Sequence, residues 1–423
     1  MGKEVVSLSV FLLVYIVISF RQVRILNQNS SSVVLLGTVI LVIFGVFTLE
    51  EAFSSIDVNT IVLLLGTMIF SAYVERTKFF EATSLWFISK AKKPRVMLGI
   101  LMFVSGFFSS FFVNDTVCIL LTPLVVAITR KINANPIPFL LGLVMSANIG
   151  SAMTLIGNPQ NMIIATSSGL PFYKYFIYVL PMVFLSLLIA YLFILFMFRR
   201  DLNNVEVVIK ESIYRIPQPY WFIIYRLGLL FLLFVFMLFL PSEKLLNVPE
   251  SQKLPIIAIT VGALAIVVGR FRPDDTLRVI DWTLILFFSG LFIVVEAVRE
   301  VGIVESMYSF IKPYFGNSEI SKYSVFSLIT ILGSNIVSNV PYVMIAKSWV
   351  REFVNPDKAY VLLAVVSTFA GNLTIIGSVA NIIVLEKSKS VAKIDFWTYS
   401  KVGIPITIIT SILAVIYITI IPF

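Results

Sequence analysis

VMSANIGSAMTLIGNPQNMI, residues 144–163, is apolar at both ends and polar in its middle. Gly157 and Pro159 interrupt a window whose hydropathy is otherwise typical of a membrane helix. Backbone N–H and C=O groups freed by the interruption must be satisfied by protein, water or a bound solute, because lipid offers no hydrogen bonds. The segment is therefore predicted to be a broken membrane helix that lines a cavity.

A second segment of the same kind, VSTFAGNLTIIGSVANII at residues 366–383, follows about 220 residues later. Aligning the central glycines superposes TLIGNPQN on TIIGSVAN. Two interrupted hydrophobic segments at matching positions in two halves indicate a transporter binding site. The half-helix after each break would present unpaired N–H groups and a positive dipole end to an anion. The two motifs supply these candidate substrate ligands: Thr154, Gly157, Asn158, Pro159, Asn161, Thr374, Gly377, Ser378 and Asn381.

The composition identifies the chain as a membrane protein. Of 423 residues, 59% are apolar and 13% are charged, against about 25% charged in an average soluble domain. The net charge of +9 comes from Lys and Arg in short loops, as expected when they fix membrane orientation, so no nucleic-acid partner is predicted. A single cysteine, Cys118, excludes an internal disulfide, and the absence of histidine excludes His-based zinc and haem sites. No cofactor is expected beyond H⁺ or Na⁺ as a coupling ion.

The hydropathy pattern predicts an all-α polytopic membrane protein with about ten transmembrane helices. The predicted crossings are 5–20, 33–49, 58–74, 138–165, 176–198, 221–240, 254–269, 282–298, 359–385 and 402–421. Two further apolar segments, 96–129 and 323–346, carry a polar break in the middle. They are predicted to be re-entrant helical hairpins, with tips at membrane depth beside a cavity.

The order of these elements predicts two inverted-topology repeats. Residues 1–198 form the first repeat, 199–220 a cytoplasmic linker, and 221–423 the second repeat. Each repeat has five full crossings, an odd number, so the second copy must be inverted and both breaks should meet near the bilayer midplane.

The positive-inside rule predicts a multi-pass protein of the cell membrane with both termini extracytoplasmic. The loops placed inside are 21–32, 76–95, 130–137, 199–220, 270–281 and 386–400.

The hairpin tips supply the remaining candidates. Asn114 in the first tip matches Asn339 in the second, and the neighbouring Thr116 and Ser338 add hydroxyl groups. Asp115 is the candidate ion-coupling residue, because a carboxylate inside an apolar stretch costs about 2.5–3.5 kcal/mol on insertion scales and normally faces a cavity. No metal site is predicted with certainty, but Na⁺ near Asn114, Asp115 and Gly157 is consistent with these residues.

FVNDTVCILLTPLVV, ANIGSAMTLIGNPQNMI, IVSNVPYVMIA and AGNLTIIGSVANIIVLE resemble the ion transporter superfamily, in the branch with arsenical-pump membrane proteins, NhaD-type antiporters and citrate-transporter-like permeases. The resemblance implies a transport domain, built from hairpins and unwound helices, that moves against a scaffold. It leaves open a homodimer and, if the protein is arsenical-pump-like, a soluble ATPase partner. The dicarboxylate branch has Ser-Asn-Thr at both tips, whereas the tips here read Val-Asn-Asp-Thr (113–116) and Ser-Asn-Val (338–340).

Together these features predict a secondary active transporter that works by alternating access in the bilayer. Its substrate would be a small anion or oxyanion, of the arsenite type or a carboxylate or inorganic anion, coupled to H⁺ or Na⁺. The alternative is a Na⁺/H⁺ antiporter, and a passive channel or an intramembrane hydrolase is less favoured. No enzyme is expected, since HExxH is impossible without histidine, GxSxG is absent, and Asp115 has no obvious intramembrane carboxylate partner.

Overall fold

The computed structural model describes residues 2–21, 30–91, 93–203, 220–240 and 248–423. The predicted linker 199–220 therefore lies mostly outside the described residues. Within the described ranges the chain is helical and contains no β-strand. Eight of the described helices are long and apolar enough to cross a membrane.

The first half of the chain contains ten helices in its described part. They are α1 (Lys3–Arg21), α2 (Ser30–Ile43), α3 (Leu49–Ser54), α4 (Val58–Arg76), α5 (Phe79–Ser89), α6 (Pro94–Phe111), α7 (Asn114–Lys131), α8 (Ile137–Ser151), α9 (Pro159–Ser168) and α10 (Phe172–Met197). The α6–α7 pair is the first predicted hairpin, and α8 with α9 is the first predicted broken helix.

The second half repeats this order. Its described helices are α11 (Trp221–Phe239), α12 (Glu250–Gly269), α13 (Pro273–Leu277), α14 (Trp282–Glu300), α15 (Ile303–Ile311), α16 (Glu319–Val337), α17 (Asn339–Ala346), α18 (Pro356–Ala370), α19 (Val379–Ser388) and α20 (Phe396–Ile420). Short 3₁₀ turns lie at Lys312–Phe315, Trp349–Glu352 and Ile375–Gly377. The α16–α17 pair is the second hairpin, and α18 with α19 is the second broken helix. The predicted fold class is thus confirmed.

The same local signals start equivalent helices in the two halves. Asp57 caps α4 by accepting a hydrogen bond from the Thr60 N–H at 3.2 Å, and Asp281 caps α14 through the Leu284 N–H at 3.1 Å. A carboxylate at this position satisfies one of the orphan N–H groups of the first helical turn. The two caps mark the same position in the two repeats, about 225 residues apart.

Small residues let helices of one repeat approach helices of the other. In α4, a Cβ on Gly66 would lie 2.4 Å from the backbone of Ala258 in α12, which leaves no room for a side chain. In α14, a Cβ on Gly290 would lie 2.7 Å from Val34 in α2. Glycine at such crossings is typical of membrane bundles, where van der Waals packing replaces the hydrophobic effect. Each repeat thus contributes one helix to each of two equivalent crossings.

We expect Gly66→Ala to lower the melting temperature of the purified protein by several degrees, because its methyl group would overlap the α12 backbone and cost about 1–3 kcal/mol. Gly228→Ala in α11 is the matched control, since a Cβ there meets nothing within 4 Å. Thermal unfolding in detergent measures both variants. Equal melting temperatures for the two variants would contradict the close α4–α12 crossing.

Candidate functional site

Both predicted breaks are present and have the same backbone shape. Asn158 precedes α9 with φ −146° and ψ 149°, and Ser378 precedes α19 with φ −149° and ψ 144°. Pro159 is the first residue of α9, where its missing N–H has no helical partner to lose. Val379 takes the equivalent place in the second copy, so the break does not depend on proline.

An asparagine amide bridges each break. Asn161 Nδ2 donates to the carbonyl oxygens of Ser151 and Thr154, both at 3.2 Å. Asn381 Nδ2 donates to the equivalent carbonyls of the second copy, on Gly371 at 2.7 Å and on Thr374 at 2.9 Å. These carbonyls have lost their helical partners, so each amide satisfies two acceptors at membrane depth. We refer to Asn161 and Asn381 as the asparagine clamps.

Each break is also attached to the hairpin of its own repeat. The Thr154 hydroxyl donates to the Ser110 carbonyl, and the Thr374 hydroxyl donates to Asn335 Oδ1 at 2.9 Å. Ser110 and Asn335 occupy equivalent places near the ends of α6 and α16. The two threonines therefore hold the breaks against the hairpins.

The central glycines are required by these contacts. A Cβ on Gly157 would lie 2.4 Å from the Ser151 carbonyl oxygen and 2.7 Å from that of Ser109. A Cβ on Gly377 would lie 2.8 Å from Asn335 Oδ1. Any larger residue would push the break away from its hairpin.

Asn148 in α8 joins the two repeats at the centre of the molecule. Its Oδ1 accepts from Asn114 Nδ2 at 2.9 Å and from the Ser378 hydroxyl at 3.1 Å. Its Nδ2 donates to Asn372 Oδ1 at 2.9 Å and to Asn381 Oδ1 at 3.0 Å. The first hairpin tip and the second break are thus connected through one buried amide, as predicted for breaks that converge.

A cavity of about 850 Å³ lies between the two repeats and reaches both hairpin tips and both breaks. The N-termini of α7, α9, α17 and α19 all contribute to its lining, and each carries a partial positive charge. Its polar and charged lining residues are Ser31, Asn114, Asp115, Asn158, Gln160, Asp281, Thr283, Ser338, Asn339, Ser378, Glu386, Lys389 and Lys393.

Asp115 lies in the first turn of α7 and lines this cavity. Its carboxylate also lies near the backbone N–H of Ala380, in the first turn of α19. Two helix N-termini, one from each repeat, therefore stabilise its negative charge. Val340 at the equivalent place in the second tip offers no charge.

The second tip has a strained backbone and an unused acceptor. Ser338 adopts φ 77° and ψ 154°, a region that L-residues rarely occupy. Asn339 Oδ1 is buried and has no hydrogen-bond partner among the described residues. Strain and unpaired buried acceptors concentrate at ligand sites, where a bound group can complete the hydrogen bonding.

The cavity brings together eight of the predicted site residues, namely Asn114, Asp115, Asn158, Pro159, Ser338, Asn339, Gly377 and Ser378. The other predicted ligands, Thr116, Thr154, Gly157, Asn161, Thr374 and Asn381, are not among its lining residues. Of these, Thr154, Thr374 and the two asparagine clamps use their side chains to hold the breaks.

Sequence reasoning missed the residues between the centre and the mouth of the cavity. Gln160 is part of the GNPQN motif, so its position in the break could have predicted that it lines the cavity. Asp281, Lys389 and Lys393 lie in or beside loops that the sequence marked only as orientation signals. Nothing in their local pattern indicates that they face a cavity.

A separate cavity of about 100 Å³ lies between α4, α5, α6 and α11. Its lining is almost entirely aromatic and aliphatic, with Phe70, Phe108 and Phe231 among the lining residues. It offers no charged group, so it is not a candidate for the transport site.

The citrate transporter family model matches residues 13–354 of the chain. The chain is also 29% identical to the 46 kDa membrane protein of Mycobacterium leprae, over 98% of each chain. It is 27% identical to the silicon efflux transporter LSI3 of Oryza sativa subsp. japonica, over 94% of this chain and 93% of that protein.

Among solved structures, the chain resembles MtrF of Neisseria gonorrhoeae, described as one of a class of antimetabolite efflux pumps. The TM-score is 0.63 at 13% sequence identity, over 90% of this chain and 84% of that one. At this identity the likeness concerns the fold alone.

We expect Asn161→Ala and Asn381→Ala each to lower the free energy of unfolding by about 2–4 kcal/mol. Each substitution leaves two carbonyl oxygens without a hydrogen bond, which costs about 1–3 kcal/mol per group, and water that enters the site offsets part of that cost. Asn317→Ala is the control, because that side chain is exposed in the loop before α16. Melting temperatures in detergent should be lower for both clamp variants than for Asn317→Ala. Stability unchanged in both clamp variants would contradict the assigned hydrogen bonds.

Proposed function

Since the chain belongs to the citrate transporter family, we propose that it is a secondary active transporter that moves a small oxyanion or oxyacid by alternating access. Membership makes it a membrane transporter of the citrate and arsenite permease type rather than an enzyme. One observation carries the proposal: a single cavity receives both hairpin tips, both breaks and four helix N-termini. A fixed site between inverted repeats is the arrangement that alternating access requires.

The lining of the cavity favours a substrate with little charge. Its centre offers amides and hydroxyls from Asn114, Asn158, Ser338 and Ser378, together with helix N-termini. The lining lysines, Lys389 and Lys393, both follow the end of α19 at Ser388, away from the tips.

A multiply charged acid such as citrate would need cationic partners at the centre, because burying unpaired charge is costly. A neutral or singly charged oxyacid can be held by the amides, hydroxyls and N-terminal N–H groups alone. The silicon efflux transporter named above handles an element whose soluble form is such an oxyacid, which supports this substrate class.

Coupling would pass through Asp115. Asp115 lines the cavity in the first turn of α7, and its carboxylate lies near the backbone N–H of Ala380 in α19. A proton or Na⁺ bound there would neutralise the one charge at the hairpin tips and change how tightly the first tip holds the second break. Oxygen atoms of Asn114, with backbone near Gly157, would supply further ligands to Na⁺.

On the predicted orientation the cavity opens to the cytoplasm. Ser31, Asp281, Lys389 and Lys393 line it, and all four fall on loops predicted to be inside. This structure would thus correspond to an inward-open state, in a cell-membrane protein with both termini outside.

A Na⁺/H⁺ antiporter is the second candidate function, and the position of Asp115 in the cavity lining favours it. A cavity-facing carboxylate beside amide oxygens would serve a cation as substrate equally well. The two candidate functions differ in one prediction: an oxyacid transporter binds an oxyacid, and a Na⁺/H⁺ antiporter does not.

We expect Asp115→Asn to remove the dependence of arsenite transport on an imposed H⁺ or Na⁺ gradient, because the amide neither binds a proton nor holds a charge. Arsenite flux into proteoliposomes, with and without each gradient, measures this. Asp275→Asn is the control, since Asp275 is exposed on α13. Gradient-driven flux that persists in Asp115→Asn would remove Asp115 from the coupling step.

We expect arsenite and silicic acid to raise the melting temperature of the purified protein more than citrate or succinate does, because a ligand at a hundred times its dissociation constant adds about 2.7 kcal/mol of stability. Ser378→Ala should weaken that binding about fivefold, as for one lost hydrogen bond of about 1 kcal/mol. A screen in which Na⁺ or Li⁺ shifts the melting temperature, and none of the acids does, would favour the antiporter instead.

A further inference from the structure

Asp57 joins helix α4 to the broken helix of the first repeat. Besides capping α4, its carboxylate accepts hydrogen bonds from the hydroxyls of Thr60 at 2.8 Å and of Thr166 at 3.0 Å. The two hydroxyl oxygens are 2.7 Å apart. Thr166 lies near the end of α9, so this cluster joins α4 to the transport elements. We refer to Asp57, Thr60 and Thr166 as the first latch.

The equivalent positions in the second repeat line the large cavity. Asp281 caps α14 as Asp57 caps α4, and Glu386 on α19 occupies the place that Thr166 has on α9. Asp281 and Glu386 both line the open cavity. Glu386 forms a 2.6 Å ion pair with Lys389, which also lines the cavity.

We propose that Asp281, Glu386 and Lys389 are a second latch, which closes the opposite end of the cavity in the other state of the transport cycle. Two inverted copies of one unit can exchange their conformations, and this structure holds one copy closed and the other open. In the exchanged state the second latch is closed and the first is open. The inference rests on the proposed transport function and identifies the residues that alternate.

The charges of the second latch explain the role of Lys389. Closing the first latch brings Asp57 to a neutral threonine, whereas closing the second brings Asp281 towards Glu386. Two facing carboxylates repel each other unless a cation lies between them. Lys389, already paired with Glu386, supplies that cation.

The first latch has its own lysine. Asp57 attracts Lys347, whose ammonium group donates to the Ser167 hydroxyl at 3.2 Å. Each latch therefore combines a helix-capping aspartate with a lysine. Lys347 follows the second hairpin, and Lys389 follows the second broken helix.

Cysteine cross-linking tests the alternation without a transport assay. In a Cys118→Ala background, one variant carries Asp57→Cys with Thr166→Cys, and another carries Asp281→Cys with Glu386→Cys. Each pair should form a disulfide under mild oxidation in proteoliposomes, because each latch closes in one of the two states. A variant with all four cysteines should form either disulfide but never both in the same molecule, as read by mass spectrometry.

Charge rescue provides a second test that does not require the four-cysteine variant to fold. Lys389→Gln should slow arsenite flux about tenfold, the factor that about 1.4 kcal/mol corresponds to. Adding Glu386→Thr, which copies the first latch, should restore the rate to within about twofold. Lys387→Gln is the matched control, because Lys387 is exposed on α19 and is not among the cavity-lining residues, and it should leave the flux unchanged with Glu386 in place.

The outcomes separate the two proposals. If the two disulfides are mutually exclusive but no arsenite flux is measured, the latch proposal is supported and the substrate assignment is wrong. Both disulfides forming in one molecule, or no disulfide at the second pair while flux proceeds, would overturn the latches. Failure of Glu386→Thr to rescue Lys389→Gln would overturn the role given to Lys389.

Discussion

Lipid cannot hydrogen-bond to a peptide group, and the centre of this protein is built around that constraint. Each broken helix leaves backbone carbonyls without helical partners at membrane depth. One asparagine amide in each repeat, Asn161 or Asn381, reaches back across the break to satisfy two of them. The clamps make the break a defined structure, so the half-helix N-termini can face a cavity without unfolding the helix around them.

The two copies show which parts of this device are essential. Proline starts the half-helix in the first copy and valine does so in the second, yet Asn158 and Ser378 have nearly the same backbone angles. The glycine and the clamp are common to both copies. Close approach to the hairpin and satisfied carbonyls therefore determine the break, and the proline only favours it.

The sequence was sufficient to predict the architecture and which motifs meet at the centre of the molecule. Matched polar interruptions placed both breaks, and the ten predicted crossings and two hairpins coincide with described helices. It could not assign the partner of each amide. Asn161 and Asn158 look alike in a motif, but one bridges a break and the other lines the cavity. That difference depends on distances of a few ångströms between elements, which residue spacing does not encode.

The functional asymmetry of the site begins at Asn148. Its counterpart in the second repeat is Thr368, whose hydroxyl donates to Asn161 Oδ1 at 3.3 Å. Both residues thus reach the clamp of the opposite repeat. Asn148 also accepts a hydrogen bond from Asn114, beside Asp115, at its amide oxygen, whereas the Thr368 hydroxyl accepts from Gln160 Nε2, in the first break, at 3.4 Å.

The only charged tip is therefore also the tip that is hydrogen-bonded to the opposite break. Hydrogen bonds run from Asn114, next to Asp115, through Asn148 to Asn381 and Ser378, across the boundary between the repeats, and this is the route by which the proposed change of charge at Asp115 would act. The second tip has neither the charge nor this connection, and it contributes the unpaired Asn339 oxygen instead. Inverted symmetry thus supplies two equivalent halves, and the substitutions that break it place the tip carboxylate in one half and an unpaired buried amide oxygen in the other, which is the division of roles that the proposed coupling requires.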